Sequence, residues 1–467
     1  MAKQILKPEN NSVAANRVIN KPFNYTLPKK VVEAVEALKE GKHKCRKLYA
    51  IQHVFKQQWY RDKQYKNNDG YVSVDSKHLK YMFGSQYRRH LNMLVKHGIL
   101  LKDNYIPGVK ATGYKLNPDL ECEEYVIVEL TREEDDQLYD NFARTLKNRK
   151  THYYRQPEHL KVMRNYIIDE MTFDVEGSIK WVQENTTSED KQAHYLNSIL
   201  KLSDRRERYA HQNKTNQRLD TNITNLKTEL RVFVDPGMDK AHIDLKNSQP
   251  YLLSTLIVGI AKNLPFLVGR VSTKEREYLK LIPICLGFTA WDMSIMFGVQ
   301  HFRRAVNLLK NRDIKDLEKF RKAATEGKLY EQFAELLGDD TTRDEAKDIY
   351  FKVLFSRNRG SDNSVPYHLQ KNKFAAIYPT VSAVIRVLKN RRHASLAIML
   401  QRMESQLFIG EISKTLVEES ITPITIHDSF LVPFEHGERT LEITKAAFKE
   451  QTGAVPTFSV EKIEKRS

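Results

Sequence analysis

Cysteine is scarce in this chain. Cys45, Cys122 and Cys285 are the only three in 467 residues, far apart and without a CxxC pair. That spacing excludes a disulfide framework or a multi-cysteine zinc site and fits a reducing compartment. Long apolar runs are also missing. No stretch approaches the ~18 apolar residues of a membrane span. The opening MAKQILKPENNSVAANRVINKPFNY lacks the apolar core of a secretory signal. The expectation is a cytoplasmic protein with no membrane partner. Acidic residues are in deficit, 59 Asp plus Glu against 76 Lys plus Arg, for a net charge of +17. A surplus this large, with no basic amphipathic helix to send it to a membrane surface, predicts nucleic acid as the partner. What remains is ordinary for a globular chain, 40% hydrophobic and 10% aromatic, and long enough for two or three domains.

Residues 1–28 are polar and Asn-rich and read as a flexible tail. VVEAVEALKEG has helical periodicity with a Gly stop, and IQHVFKQQWYRDKQY continues as a second helix. Ser76 can cap a short helix that Gly84 ends. A further helix carries Tyr87, Leu91 and Leu94 on one face and Arg88, Arg89, His90 and Lys96 among the rest. Gly98 closes it, and two strands follow around a Pro-Gly turn, with Lys110 and Lys115 on them. Helix, turn, helix and hairpin is the order of a winged helix, so residues 29–125 are expected to bind nucleic acid through Arg88, Arg89 and Lys96. A winged helix used only for protein contacts is the alternative. Residues 126–215 read as charged helices, a thumb-like or linking region. Cations there are interleaved with Tyr153 and Tyr154, which suits either a backbone-tracking surface or a solvated helix face.

The chemistry-bearing stretches come later. In ITIHDSFLVP (424–433) apolar residues run into His427-Asp428 and resume after Ser429, as two short buried strands with a carboxylate at the tip. A plain β-turn accounts for it, unless a second carboxylate is available to share a metal. AHIDLKNSQPYLLSTLI (241–257) supplies one, since an apolar strand delivers Asp244. Two such carboxylates on adjacent strand ends can hold two Mg²⁺ ions, with Mn²⁺ as a substitute. Between them, TTRDEAKDIYFKVLFSRNRG puts Arg343, Lys347, Phe351 and Phe355 near one helix face. Cations followed by rings on one face suit a nucleoside triphosphate, although an ordinary amphipathic helix fits the same pattern.

These stretches, in this order, resemble the palm and fingers motifs of family A polymerases, the superfamily of bacterial DNA polymerase I and the single-subunit phage-type RNA polymerases. HIDLKNSQPYLLS resembles the first palm motif, RDEAKDIYFKVLFS the fingers helix, and IHDSFLVP the second palm motif. NQRLDTNITNLKTELR resembles the stretch ahead of the first palm motif, with Arg218 and Asn225 at the family's spacing. KLYEQFAELLG and FAAIYPTV resemble the segments flanking the fingers helix. The resemblance covers about residues 208–467. It implies an α+β right-hand polymerase: palm and fingers over 216–467, a helical thumb-like region before them, and the winged-helix-like domain at the front. By the same resemblance Asp244 and Asp428 are the catalytic metal ligands. Arg343, Lys347, Phe351, Phe355 and Gln249 meet the nucleotide. Arg218, Asn225, His427 and Gln401 meet the primer–template.

The departures bear on the sugar. Gln249 stands where the family's DNA polymerases carry a Glu that excludes a ribose 2′-hydroxyl. Phe355 replaces a Tyr, and Ser429 follows Asp428 as in the RNA-polymerase branch. No paired-carboxylate pattern of a proofreading exonuclease precedes the core. The expectation is a template-directed nucleotidyltransferase with primer–template and nucleoside triphosphates as partners. DNA polymerase comes first, RNA polymerase or primase second, and a nonenzymatic winged-helix replication initiator is the alternative from another class.

Overall fold

The computed structural model describes residues 23–38, 43–60, 70–104, 112–122, 124–151, 156–205, 207–338, 340–358 and 367–465. Residues 1–22 of the expected tail, and Lys110, Tyr153 and Tyr154, lie outside the described residues. Contacts divide the chain into two compact units, 1–210 with 221–237, and 211–220 with 238–465. No helix among the described residues is long and apolar enough to cross a membrane.

In the first unit, β1 (Phe23–Pro28) pairs antiparallel with β5 (Tyr125–Leu130), Phe23 opposite Leu130. This corrects the expectation of a tail running to residue 28. Phe23, Tyr25 and Leu27 alternate inward, at 4%, 0% and 0% exposure, which is the period-2 signature of a half-buried strand. Helices α1 (Lys29–Glu36) and α2 (Lys44–Tyr60) follow. Then come β2 (Val72–Ser73), α3 (Ser76–Phe83), α4 (Tyr87–Lys96), β3 (Leu100–Lys102) and β4 (Gly113–Leu116), the three strands ordered β2-β4-β3. The cap of α3 is Asp75 rather than Ser76, because the Asp75 carboxylate accepts from the backbone N–H of Lys77 at 2.9 Å and His78 at 3.1 Å. Residue 125 is not a boundary between cores. Leu138, Tyr139, Phe142 and Leu200 pack in the same cluster as Tyr25, Ile51, Leu79 and Leu94.

The second unit is built on a four-stranded antiparallel sheet, with β6 (Lys240–Leu245), β7 (Ile424–Ile426), β8 (Ser429–Pro433) and β9 (Phe458–Ile463) in the order β7-β8-β6-β9. Nearly every residue of β6, β7 and β8 is buried, so the apolar runs of the sequence are strands covered on both faces. A large helical cluster covers the sheet, and α5 (Ser248–Lys262) runs through it with Leu252, Leu253, Leu256 and Ile257 at 0% exposure. Gly259 permits a close crossing, since a Cβ there would lie 2.2 Å from the Ile284 carbonyl oxygen. Helix α6 (Arg343–Phe355) starts at a capping box in which Thr342 and Glu345 satisfy each other's backbone N–H. Helix α7 (Ser395–Ser405) packs on α5.

Candidate active site

Strand register brings the two carboxylates together. In the sheet, Asp244 stands opposite Ser429 on one side and Ser459 on the other. Ile426 pairs with Ser429, so His427-Asp428 is a two-residue hairpin turn. The backbone carbonyl of Asp428 accepts from Leu245 N–H at 3.1 Å, locking that turn to the end of β6. Two segments far apart in the sequence thus end side by side, both carboxylates half-buried. His427 is exposed. The two flanking strands are buried as expected, while this ring stands in solvent. Its φ of 55° lies in the left-handed region, which is uncommon for a residue with a side chain. Ser429 has a structural role, since its hydroxyl donates to the Ile426 carbonyl at 2.9 Å and lies 3.0 Å from His242 Nε2.

Asp244 and Asp428 line a cavity of about 440 Å³ together with Gln249, Arg343, Lys347 and Phe351. Four of the five residues expected at the nucleotide therefore share one cavity with the carboxylates. Phe355 does not line it; the ring is 40% exposed and meets Phe351 edge-on at 5.6 Å. Helix α6 drifts round its axis from turn to turn, which carries its last ring off the face that Arg343 begins. The two cations differ in their ties. Arg343 is ion-paired to Glu331 at 2.7 Å and to Asp344 at 3.4 Å, above the Tyr330 ring. Lys347 has no carboxylate partner among the described residues, and its Nζ lies 5.7 Å from the centre of the Phe351 ring.

The cavity also has members that sequence reasoning missed. Tyr330 and Glu331 sit on its wall, and burial holds the Tyr330 phenol well above its ordinary value. Both fall within KLYEQFAELLG, a stretch that pointed to the site without its polar members being singled out. Asn247 Nδ2, Ser248 Oγ, Gln249 Oε1 and Glu331 Oε2 are buried around it without hydrogen-bond partners among the described residues. A buried polar atom costs free energy unless paired, so this concentration points to a polar ligand.

Glu404 is the largest omission. It is 1% exposed on α7, and its carboxylate takes the Arg218 fork, Nε at 2.7 Å and Nη2 at 2.7 Å, plus Gln249 Nε2 at 3.0 Å. Burial, followed by the negative charge of Asp428, pushes its carboxyl up to about 7, against the pull of Arg218. A signal existed in the sequence. Glu404 falls on the apolar stripe of Leu396 and Leu400, where a charge needs a partner. Gln401 lies nearby on the same helix, its Oε1 accepting from Asn216 Nδ2 at 3.4 Å.

The remaining expected contacts lie in the first unit. Asn225 is exposed there. Arg88, Arg89 and Lys96 are exposed on α4, and Arg88 Nε donates to Tyr87 Oη at 3.1 Å. Lys115 lies over the Tyr71 ring at 4.6 Å. His90, counted with the cations of that helix, is instead buried at 3%. Burial, then the neighbouring His43, pushes its imidazole down to about 4, so it carries no charge near neutrality.

As a metal site, the donor set is two carboxylates with no third His, Cys, Asp or Glu grouped with them among the described residues. An all-oxygen pair fits Mg²⁺, which keeps several waters and takes one or two carboxylates, and does not fit zinc.

No family model matches the chain, and no curated protein matches it. Among solved structures, it is similar to the POL domain of Pol1 from M. smegmatis in complex with DNA primer-template and dNTP. The two share 10% identity over 95% of this chain and 67% of that chain, with a TM-score of 0.27. So low a score carries no argument, and the chemistry must rest on this chain's own residues.

Proposed function

We propose that the chain is a template-directed nucleotidyltransferase that extends a 3′-hydroxyl with nucleoside triphosphates. The observation that carries this reading is the meeting of Asp244, Asp428, Arg343, Lys347, Phe351 and Gln249 in one cavity. Acid, cation and ring are the groups that a metal-bound nucleoside triphosphate needs.

Asp244 and Asp428 would hold Mg²⁺, which when bound lowers the pKa of an attacking hydroxyl and offsets charge on the leaving pyrophosphate. The chain's own part is positioning and electrostatics. Lys347, unpaired with any carboxylate among the described residues, orients the triphosphate. Arg343 adds charge while Glu331 holds its guanidinium in place. The Phe351 ring, packed against Lys347, offers an apolar face to the base or sugar. The 3′-hydroxyl oxygen attacks the α-phosphorus, its proton passes to solvent, and pyrophosphate leaves.

In this reading Arg88, Arg89 and Lys96 form the nucleic-acid face of a winged-helix-like region, supported by their common exposure on α4. Deoxynucleotides remain the first expectation, because the Phe351 ring in the cavity offers no hydroxyl to a ribose. Ribonucleotides are the second reading, favoured by the unpartnered acceptor Gln249 Oε1 in the cavity. The test is extension of a labelled primer on a defined template with dNTPs or NTPs, with and without Mg²⁺. Template-dependent, Mg²⁺-dependent growth supports the reading, and its absence with both nucleotide sets overturns it.

A further inference from the structure

Two segments of the second unit meet on Glu404, Arg218 from the hairpin at 211–220 and Gln249 from the first turn of α5. Arg218 occupies both carboxylate oxygens, and Gln249 shares Oε2. An ionised carboxylate is an acceptor only. With Glu404 ionised and paired to Arg218, the atom of Gln249 that faces it is therefore the amide nitrogen, a choice set by chemistry rather than by shape. That leaves Gln249 Oε1 as the free end of the amide. It is buried, it has no hydrogen-bond partner among the described residues, and its residue lines the cavity of Asp244 and Asp428. Glu404 itself does not line that cavity, so any influence it has on a ligand passes through the side chains it holds.

We propose that Glu404 is a positioning residue that turns the Gln249 amide so that its carbonyl oxygen faces the cavity, where it selects a ligand with a sugar hydroxyl to donate. The identity of that ligand as a nucleoside triphosphate rests on the function proposed above; the orientation of the amide does not. An acceptor built to receive a hydroxyl rejects an analogue lacking it, because the buried oxygen is then left unpaired. Either hydroxyl of a ribose supplies the same chemistry, so the test carries an arm for each.

The experiment measures equilibrium binding of ATP, 2′-deoxy-ATP and 2′,3′-dideoxy-ATP to the full chain with Mg²⁺. It is done at about pH 8, where Glu404 is mainly ionised. The wild type is expected to lose about tenfold or more in affinity at one step of the series. The step at which it is lost identifies the 2′- or 3′-hydroxyl. Gln249→Leu should flatten the series. Glu404→Gln should also reduce the ratio, since its new amide can donate to Gln249 Oε1 and reverse that side chain. The double variant should be no flatter than Gln249→Leu alone, because Glu404 acts through Gln249. Should Glu404→Gln fail to fold, Glu404→Asp keeps a charge for Arg218 and shortens the reach to Gln249, with the same expectation. A Glu404 with only a structural role would weaken all three ligands alike and leave the ratios untouched, which overturns the proposal. A flat wild-type series, or no binding at all, overturns it too. Primer extension is read in parallel. Extension with a flat series sinks this proposal alone, whereas a steep series without extension sinks the polymerase reading alone.

Discussion

Replacing Lys347 by Ala tests the cavity's cationic wall most cleanly. Of the two cations expected at the triphosphate, Arg343 is tied to Glu331 at 2.7 Å, and its removal would also strand a carboxylate in the cavity wall. Lys347 has no such partner among the described residues and is half-buried with its ammonium near the Phe351 ring. Its loss removes one charge from the cavity wall and little else. A hydrogen bond to a charged group contributes about 1.5–3 kcal/mol, which is about a 10- to 150-fold drop in kcat/KM for the nucleotide. The contact of Lys347 with Phe351 adds only about 0.5–1 kcal/mol at a partly exposed position, so Tm should change little. Lys347→Arg should retain part of the activity. The assay is single-nucleotide incorporation at varied nucleotide concentration, with template affinity measured separately. Unchanged kcat/KM for nucleotide in a folded Lys347→Ala protein would refute the placing of α6 at the triphosphate.

Two further outcomes are expected. Lys389 is 1% exposed, donates to the Val353 carbonyl of α6 at 2.6 Å, and is pushed down to about 7 by burial and then by the charge of Lys371. The unfolded chain then holds the extra proton between about pH 7 and about 10.4, so stability should rise with pH across that window and be lowest below it. Lys389→Met should raise Tm at neutral pH and flatten that rise in thermal melts from about pH 6 to 10; an unchanged pH profile would show that Lys389 keeps an ordinary pKa. Replacing Arg88, Arg89 and Lys96 together by Ala should weaken duplex binding by the full chain and reduce its salt slope by up to about 2.7, at about 0.9 per phosphate contact. A slope equal to that of the wild type would assign α4 to another role.

Much of the second unit was legible because its signals are local. Short apolar runs broken by a single acid gave β6, β7 and β8, and the spacing of Arg343, Lys347, Phe351 and Phe355 gave a helix, whose Thr342 cap was not read. The pairing of Asp244 with Asp428 was legible only through the order of motifs, since no local pattern sets the register of strands so distant in sequence. Glu404 was missed because its meaning lies in Arg218 and Gln249, which reach it from two other segments. Phe355 falls outside the cavity because a four-residue step drifts around a 3.6-residue helix. His90 was misjudged because its neighbours Arg88 and Arg89 are exposed while it lies on the buried stripe of Tyr87, Leu91 and Leu94. The strand at Phe23–Pro28 was missed because its partner, Tyr125–Leu130, lies about a hundred residues away.

The measurement that tests the central claim most directly is template-dependent primer extension by Asp244→Asn and Asp428→Asn, with nucleic-acid affinity measured alongside. Each change keeps the shape of the side chain and removes one carboxylate charge from the cavity lining. The account predicts that each variant binds primer–template as the wild type does and loses about 10³-fold or more in incorporation rate, equivalent to about 4 kcal/mol of transition-state stabilisation. Near wild-type incorporation by either variant would contradict a catalytic carboxylate pair at the ends of β6 and β7.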